Sequence, residues 1–591
     1  MLSTSGQIAV NLGAMDGSAA SPPDSFDAPA LDRDLDELVA AKRTWAKLPI
    51  REKIEYLRAL IRRTRTYGEE WATAGAKAKG ILGTPIAGEE WTSGPWAHMA
   101  TINATIQSLE ALAAGKDPTD GFKIRDRGDG QIAVQVYPAD IYESLLQSGT
   151  KAEVWQQPGV NRGNLRDNVA KFFREPDHEG EVALVLGAGN IAAIPPLDVI
   201  YELIAEGRVA ICKLNPVNEY LGPIFEKIYA PLIEAGFVRW VYGGADVGAY
   251  LVNHDLVDKV HITGSIRSHD IIVYGPGEEG ERRREARDPV LNKPITSELG
   301  GVGPTIVVPG PWSAADLAFQ AEHVATQKLH NGGFNCIAMQ VLVTHREWGL
   351  HEKFLATVAD TIKNLPYRPA YYPGATDRIT RGVEAHGSSE ELGGEIPRTR
   401  LKGVDPEDND AYPFHQEFFS SMWAETALSA RDEADFLDKA VDFANDRTFG
   451  TLGCQILIHP KTQRKLGKRL DDAIARLRYG TIGINAWSGV GFLLARGAWG
   501  AFPGHELHDA QSGIGVVHNA LLFDRPQKTV IRAPFAPFPR SALLGETHFE
   551  PKPIYYVTHK TADKVGELLV DFEADKGFGK LPALFAAALR G

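Results

Sequence analysis

The feature that most constrains the fold is an alternation of apolar strands and helices between residues 181 and 263. Runs such as Val209-Ala-Ile-Cys-Lys213 are apolar almost throughout, rather than at every second residue. Strands that are buried on both faces have this composition, and intervening helices make such strands parallel. The pattern therefore predicts a parallel sheet with helices on both faces. Its predicted strands are 181–186, 209–213, 238–242 and 259–263, and its predicted helices are 197–204, 222–236 and 245–253.

A second alternating series begins at Pro304 and continues to about residue 485. Two such series predict two α/β domains, which a length of 591 residues allows. Residues 366–412, which are rich in proline, glycine and acidic residues, predict a region dominated by loops. The predicted strands of this series are 304–308, 340–344, 452–459 and 481–485, and its helices are 315–330 and 350–364.

The remaining segments flank or interrupt these two series. Helical periodicity covers residues 31–79 and 91–114. Two extended runs at 131–137 and 153–156 predict a projecting β ribbon. Residues 1–29 have the composition of a disordered lead-in. Exposed insertions are predicted at 158–180 and 277–287, a further strand at 529–532, and a C-terminal extension with two short helices at 534–591.

Composition excludes several classes of function. The net charge of −13 is spread along the chain, which argues against nucleic acid or an anionic membrane as a partner. No apolar run approaches the length that would span a bilayer. The three cysteines at 212, 336 and 454 are widely spaced, which fits a reducing compartment such as the cytoplasm. The histidines show no metal-ligand spacing, so no metal site is predicted.

Cys336 is the candidate nucleophile. It follows the polar, glycine-bearing loop Asn331-Gly-Gly-Phe-Asn and precedes an apolar strand, a setting that can present a thiol. Glu298 lies in a similar setting, Thr296-Ser-Glu298-Leu-Gly-Gly301, and could activate water or the thiol. Together they indicate acyl chemistry through a thioester. The alternative for Cys336 is an inert buried thiol, which we expect of Cys212 and Cys454 inside apolar strands.

The turn Leu186-Gly-Ala-Gly-Asn190-Ile-Ala has two interpretations. It matches the G-x-G-x-x-A fingerprint of dinucleotide-binding folds, which is a weak signal alone. The next strand ends in Lys213, which suits a phosphate group, whereas that fingerprint requires a carboxylate at this position. The other interpretation is that the Asn190 amide faces a developing oxyanion.

Several motifs occur in one order: Asn190, Lys213, Gly264-Ser265, Glu298-Leu-Gly-Gly301, Cys336 and Glu417-Phe-Phe419. In this order the chain resembles the aldehyde dehydrogenase superfamily over roughly residues 31–533. The resemblance implies a Rossmann-type cofactor domain, an α/β catalytic domain and a β oligomerisation ribbon. The implied boundaries are 30–300 for the NAD(P)-binding domain with the ribbon at 131–157, 301–500 for the catalytic domain, 501–533 for the return to the cofactor domain, and 534–591 for the extension.

The resemblance also implies roles for residues and partners. Cys336 would attack an aldehyde, Asn190 would hold the oxyanion, and Glu298 would activate water. The implied cofactor is NAD or NADP, the substrate a small aldehyde, and the assembly a homodimer or homotetramer paired through the ribbon and the strand at 529–532. The implied cofactor-binding residues are Lys213, Gly264, Ser265, Glu417 and Phe419.

Three departures from the family pattern indicate a divergent branch. Gly189 stands where a tryptophan usually precedes the oxyanion asparagine, which opens or reshapes the substrate channel. Pro216 replaces an acidic ribose ligand, which makes NADP as plausible as NAD. His269 replaces a glycine on the phosphate side. Two other functions stay open: a CoA-linked acyl reductase, in which CoA replaces water, and a non-catalytic assembly member of the family.

Overall fold

The computed structural model describes residues 26–591, apart from residues 129, 176, 396 and 547. Most of the predicted lead-in at 1–29 therefore lies outside the described residues, and the first helix begins at Ala28. Within the described part of the chain, no helix is both long enough and apolar enough to cross a membrane.

The secondary structure alternates through most of the chain. The strands are β1 (Lys123–Asp126), β2 (Ile132–Tyr137), β3 (Lys151–Gln156), β4 (Val182–Leu186), β5 (Val209–Lys213), β6 (Val238–Val241), β7 (Lys259–Gly264), β8 (Ile295–Leu299), β9 (Gly303–Val307), β10 (Met339–His345), β11 (Ser389–Glu391), β12 (Thr399–Val404), β13 (Trp423–Leu428), β14 (Gly453–Leu457), β15 (Thr481–Ile484), β16 (Gly513–Ile514) and β17 (Pro526–Arg532). The α-helices are Ala28–Lys47, Ile50–Ala78, Gly88–Trp91, Ala97–Ala113, Ile141–Leu146, Lys171–Arg174, Ile194–Ile204, Gly222–Glu234, Ala245–Asn253, Ile266–Tyr274, Gly277–Ala286, Ala314–Leu329, His351–Asn364, Ala375–His386, Tyr412–His415, Glu433–Asp446, Pro460–Leu466, Lys468–Arg476, Val490–Leu493, Arg540–Leu543, Ala562–Ala574 and Leu581–Ala588.

Six strands of the described chain form the first sheet, in the order β16-β8-β7-β4-β5-β6. Its strands from β8 to β6 are parallel, and β16 is antiparallel to β8. The strands β4 to β7 lie where the apolar runs predict them, within a residue or two at each end. The predicted α/β class is therefore confirmed, and its reason is the one expected: continuous apolar strands need helices on both faces.

Eleven strands of the described chain form the second sheet, in the order β1-β2-β3-β17-β15-β14-β9-β10-β13-β12-β11. Its centre, from β17 to β12, is parallel, and its two ends are antiparallel. The chain passes from the first sheet to the second between β8 and β9, close to residue 300.

The predicted ribbon is present as β2 and β3, but it does not project as an edge. Val154 of β3 pairs with Thr529 of β17, and Thr529 pairs in turn with Thr481 of β15. Both β3 and β17 are therefore interior strands of the second sheet. The expectation that these two segments are free edges for pairing between subunits is wrong, because within one chain each already has a neighbour on both sides.

The prediction that residues 366–412 are dominated by loops is wrong in part. They contain the helix Ala375–His386 and the strand β12, which pairs with β13. The sequence did not predict this strand because it contains Arg400, and arginine is rarely buried in a sheet. In the structure, Arg400 forms an ion pair with Glu425 of β13, and both side chains are largely buried. The predicted insertion at 277–287 forms an exposed helix, Gly277–Ala286.

The C-terminal extension packs on the N-terminal helices of its own chain. The helix Ala562–Ala574 lies against Gly88, where a Cβ atom would overlap the backbone of Ala562. Gly566 in the same helix packs on the Trp91 ring in the same way. Two glycines, one on each side, therefore allow the close approach of the two segments.

Candidate active site

A strained turn presents Cys336 at the end of the helix Ala314–Leu329. Asn331, Gly332 and Gly333 all have positive φ angles, of 54°, 71° and 87°. A Cβ atom on Gly333 would overlap the backbone oxygen of Ser420, so this position requires glycine. The turn reverses the chain before β10 and brings Cys336 towards the first sheet.

Cys336 lies near Glu298 at the junction of the two sheets, close enough for each side chain to shift the pKa of the other. Burial raises the pKa of Glu298 to about 7, although the nearby Cys336 thiol lowers it in part. Burial and the charge of Glu298 raise the pKa of the Cys336 thiol well above its ordinary value. Cys336 keeps part of its surface accessible, whereas Cys212 and Cys454 are buried. At neutral pH the pair therefore comprises a thiol and a carboxyl group poised to accept its proton.

Asn190 lies on the turn after β4 and contacts the nucleophile loop. Its amide Nδ2 donates to the backbone oxygen of Phe334 at 2.9 Å, two residues before Cys336. An amide nitrogen carries two N–H groups, so this bond leaves a second donor. The structure thus brings together the three predicted catalytic residues, with the Asn190 side chain bonded to the loop that carries the thiol.

A buried lysine, which sequence analysis missed, joins this turn to the nucleophile loop. Lys79 Nζ donates to the backbone oxygen of Asn190 and to Asn331 Oδ1, both at 3.0 Å. Glu90 accepts a third bond at 2.7 Å, and both charged side chains are almost completely buried. The Tyr371 hydroxyl donates to the same two oxygens, each at 3.0 Å. This cluster fixes two catalytic segments relative to each other.

A second ion pair holds the other side of the same turn. Glu89 Oε2 accepts from the backbone nitrogen of Asn331 at 2.9 Å and from Arg368 at 2.8 Å. Burial would raise the pKa of Glu89, but the nearby Arg368 and His330 hold it below its usual value. In the sequence, only the run Gly88-Glu-Glu-Trp91 hinted at these buried ion pairs, because it places two adjacent acidic residues between apolar ones.

Three predicted cofactor residues lie at the carboxyl ends of parallel strands. Lys213 ends β5, and Gly264 and Ser265 end β7 at an exposed position. Ser265 Oγ accepts from the backbone nitrogen of Ser268 and so caps the helix Ile266–Tyr274. A helix N-terminus at this edge of an open α/β sheet suits a phosphate group.

Glu417 lies in the loop between the helix Tyr412–His415 and β13, with its carboxylate against Gly300. A Cβ atom on Gly300 would overlap the Glu417 carboxylate, so the glycine leaves room for it. Glu417 is partly buried, and its Oε1 atom is buried without a hydrogen-bond partner among the described residues. Burial raises the pKa of Glu417 to about 8, although the charges of Arg378 and Lys328 oppose the shift. A buried acceptor of this kind fits the hydroxyl groups of a ribose.

Phe419, the last predicted cofactor residue, lies in an aromatic group beside the nucleophile loop. Its ring centroid is 4.9 Å from that of Tyr372 and 5.7 Å from that of Phe334. Its φ angle of 38° is unusual for a bulky residue. Phe334, on the nucleophile loop, therefore packs against the Phe419 ring.

The C-terminal extension contributes an aromatic residue on the other side of the loop. The ring of His330 lies 4.7 Å from that of Trp487, and Trp487 lies 6.0 Å from Tyr555. Sequence analysis left open whether residues 534–591 wrap a neighbouring subunit or shield the substrate entrance. In this chain the extension packs in cis, and Tyr555 contacts Trp487, which in turn contacts His330 beside the nucleophile loop.

Comparisons with known proteins agree with this architecture. A model of the aldehyde dehydrogenase family matches residues 172–376. Aminoaldehyde dehydrogenase 2 of Pisum sativum is 24% identical over 474 residues, which cover 74% of this chain and 83% of the relative. D-glyceraldehyde dehydrogenase (NADP(+)) of Thermoplasma acidophilum is 23% identical over 46% of this chain and 54% of the relative.

Solved structures show the same fold. A mutant of aldehyde dehydrogenase C from Pseudomonas syringae, in complex with NAD+ and octanal, superimposes with a TM-score of 0.56 and 17% identity over 86% of this chain and 90% of that one. An NAD-dependent aldehyde dehydrogenase from Sinorhizobium meliloti gives a TM-score of 0.55 and 18% identity over 85% and 86%. In part of its sequence and in its fold, the chain is therefore similar to aldehyde dehydrogenases.

Proposed function

We propose that the protein oxidises an aldehyde to a carboxylic acid through a thioester on Cys336, with Glu298 activating the hydrolytic water. The observation that carries this proposal is the proximity of the Cys336 thiol to the Glu298 carboxyl group, whose pKa is about 7. A base with a pKa near the working pH is the efficient one for removing a proton from a thiol or a water molecule.

The cofactor in this proposal is NAD or NADP, which supplies the hydride acceptor when bound. Lys213, Gly264 and Ser265 would hold its phosphates, and Glu417 would accept from a ribose hydroxyl next to Phe419. The unpartnered Oε1 of Glu417 and the space above Gly300 support this placement. The lysine at the end of β5 and the proline at 216 are compatible with a 2′-phosphate, so NADP stands beside NAD.

The first chemical step belongs to Cys336 and its neighbours. Glu298 accepts the thiol proton as the sulfur forms a bond to the carbonyl carbon, and the carbonyl oxygen becomes an alkoxide. The second N–H of Asn190 and the backbone N–H of Cys336 are the donors proposed for this oxygen. Removing one donor of this kind typically slows turnover by about 10²–10³.

The second step is hydrolysis of the thioester. Once Glu298 has released the thiol proton to solvent, it takes a proton from water as the water oxygen attacks the thioester carbon, and the electrons of the C–S bond return to sulfur. The product is a carboxylic acid. Contact between base and thiol favours water over CoA as the acceptor, because a CoA-dependent enzyme needs no base at Glu298.

Purified protein incubated with a panel of aldehydes and either nicotinamide cofactor tests the proposal. We expect NAD(P)H to form with at least one aldehyde, and Cys336→Ala to abolish turnover while cofactor still raises Tm. Cys454→Ala, in a buried strand position, is the matched control and should keep its activity. Dehydrogenase activity in the Cys336 variant would refute the nucleophile. A thioester product that requires CoA would instead identify the acylating alternative, and no rise of Tm with either cofactor would favour a non-catalytic member.

Assembly and compartment also belong to the proposal. We propose that the protein assembles as a homodimer or homotetramer, and light scattering would measure its size. We also propose that it works in the reducing environment of the cytoplasm, which its three free cysteines support. Because β3 and β17 are interior strands, subunit contacts would use other surfaces, such as the edge strands β1 and β11.

A further inference from the structure

Strand β7 carries polar side chains where a strand between parallel neighbours is normally apolar. Lys259, His261 and Thr263 alternate along it and are all buried, so they share one face of the sheet. On the neighbouring strand β8, Thr296 pairs with His261 and Glu298 pairs with Thr263. A buried polar stripe therefore runs along this face and ends at Glu298.

The helix Ile194–Ile204 contributes two acids to the stripe, Asp198 and Glu202, one helical turn apart and both almost completely buried. Glu202 is compensated: Lys259 lies 3.1 Å and Arg208 3.0 Å from its carboxylate. Among the described residues, Asp198 forms no ion pair with a lysine or an arginine. Its neighbours are two histidines.

Asp198 lies at the centre of a hydrogen-bonded cluster. Its Oδ1 is 3.0 Å from His518 Nε2, and its Oδ2 accepts from the Thr263 hydroxyl at 3.0 Å. The same Oδ2 is 3.6 Å from His261 Nε2. Burial would raise the pKa of Asp198, but its bonds with both histidines hold it below its usual value. The carboxylate thus stays charged between two imidazoles.

The cluster approaches Glu298 on two sides. His261 Nδ1 is 3.0 Å from the hydroxyl of Thr296, the neighbour of Glu298 on the same strand face. Trp499, whose backbone bonds to that of His518, lies near the Glu298 carboxyl group and lowers its pKa. Glu298 Oε1 and His518 Nδ1 are both buried and without a hydrogen-bond partner among the described residues.

A purely structural role accounts poorly for this arrangement. Burying charges in a core is costly, and apolar residues of similar size usually stabilise a fold as well or better. Among the described residues, no group of three His, Cys, Asp or Glu side chains is arranged to hold a metal ion. What the cluster does have is proximity to a catalytic base that must lose a proton in every cycle.

We propose that the cluster of Asp198, His261 and His518 receives the proton that Glu298 takes from the hydrolytic water. This inference rests on the proposed function. The water proton moves to Glu298 as the water oxygen bonds to the thioester carbon. It then passes, by way of the Thr296 hydroxyl and solvent in the site, to the neutral imidazole of His261. The imidazolium forms against the Asp198 carboxylate, and Glu298 returns to its anionic form.

The charges of the cluster give opposite effects on Glu298. The negative charge of Asp198 raises the pKa of Glu298, and a positive charge on His261 lowers it. Other groups that face the cluster are Lys259 and Glu202, which pair with each other, and Cys212 of β5, whose thiol pKa is raised by burial and by Asp198. Asp198→Asn should therefore shift the pH midpoint of deacylation downwards, whereas His261→Asn removes the proton acceptor and should slow deacylation without this shift.

The test needs no nicotinamide cofactor. The full-length protein is acetylated on Cys336 with p-nitrophenyl acetate, and loss of the acetyl group is followed by rapid-quench mass spectrometry at pH values on both sides of 7. We expect Asp198→Asn and His261→Asn to acylate at the wild-type rate and to deacylate about 10- to 100-fold more slowly, with the midpoint displaced downwards only in Asp198→Asn. His345→Asn, a buried histidine in the second sheet, is the matched control and should behave as wild type.

Thr263→Val supplies a second variant if the others fail to fold, since it keeps the side-chain shape and removes the hydroxyl that bonds to Asp198. Wild-type rates and midpoints in folded variants would overturn the relay. Failure of the wild-type protein to form NAD(P)H from any aldehyde would overturn the proposed function, whereas the acetyl-enzyme measurement would still decide the inference.

Discussion

Lys79 Nζ lies 3.0 Å from the backbone oxygen of Asn190, deep inside the protein, and its ammonium group reaches Asn331 on the nucleophile loop at the same distance. One charged side chain at the end of an N-terminal helix therefore links the turn that carries the proposed oxyanion donor to the loop that carries the proposed nucleophile.

Lys79→Met should lower both stability and turnover. The variant leaves Glu90 buried without its cation, a change that typically costs about 3–5 kcal/mol. It also frees the turn at Asn331 from one of its anchors. We expect a lower Tm and a lower kcat with little change in the rate of cofactor binding. The exposed residue Lys77 on the same helix supplies the control variant, Lys77→Met. Equal kcat values for both folded variants would show that Lys79 does not position the site.

Glu298→Gln should leave acylation possible and suppress hydrolysis. In the wild type, Glu298 acts as a base only when ionised, and its pKa of about 7 means that deacylation rises as pH increases through 7. The amide has no such ionisation. Deacylation should therefore fall by about 10²–10⁴ and lose this pH limb.

Rapid-quench measurement of the acyl-enzyme across pH checks this prediction. The exposed residue Glu281, changed to Gln, supplies the control. A rising limb near pH 7 that persists in the Glu298 variant would assign the base to another residue.

Sequence patterns predicted the first sheet well, because parallel strands that are buried on both faces are continuous apolar runs in the sequence. The strands β5 and β7 were predicted almost to the residue. The strand β8 was not, since Thr296, Ser297 and Glu298 look like the polar part of a glycine-rich loop. Thr296 and Glu298 lie beside the polar residues of β7, and Ser297, on the other face, accepts a hydrogen bond from the backbone nitrogen of Ile514.

The predicted catalytic trio came from ordered motifs, and the structure places its members on adjoining segments. The residues that hold them could not be predicted in the same way. Lys79, Glu89 and Tyr371 belong to distant segments, and only the tertiary fold brings them to Asn331. Charged residues in a helical pattern are normally read as a solvent-exposed face, which is the opposite of their burial here.

Gly300→Ala should weaken cofactor binding. A methyl group at this position overlaps the Glu417 carboxylate and would displace it from the proposed ribose site. We expect the rise of Tm caused by saturating NAD or NADP to shrink, since a ligand at 100 times its Kd contributes about 2.7 kcal/mol and a tenfold loss of affinity removes about 1.4 kcal/mol. Gly349→Ala, at a position with open space around its Cβ, is the control. If NAD or NADP raises the Tm of Gly300→Ala as much as that of the wild type, Glu417 does not take part in cofactor binding.

Tyr555→Ala should change the preference for aldehyde size. The Tyr555 ring contacts Trp487, and Trp487 contacts His330 next to the nucleophile loop. The Tyr555 ring therefore limits the motion of Trp487. Aromatic pairs of this kind contribute about 0.5–1.5 kcal/mol, which corresponds to roughly a 2- to 12-fold change in a rate or binding constant. We expect kcat/KM to rise for bulky aldehydes relative to small ones. Phe549→Ala, an exposed aromatic position in the same extension, tests whether any lost ring has this effect. An unchanged ratio of kcat/KM values in Tyr555→Ala would mean that the C-terminal extension does not border the path of the substrate.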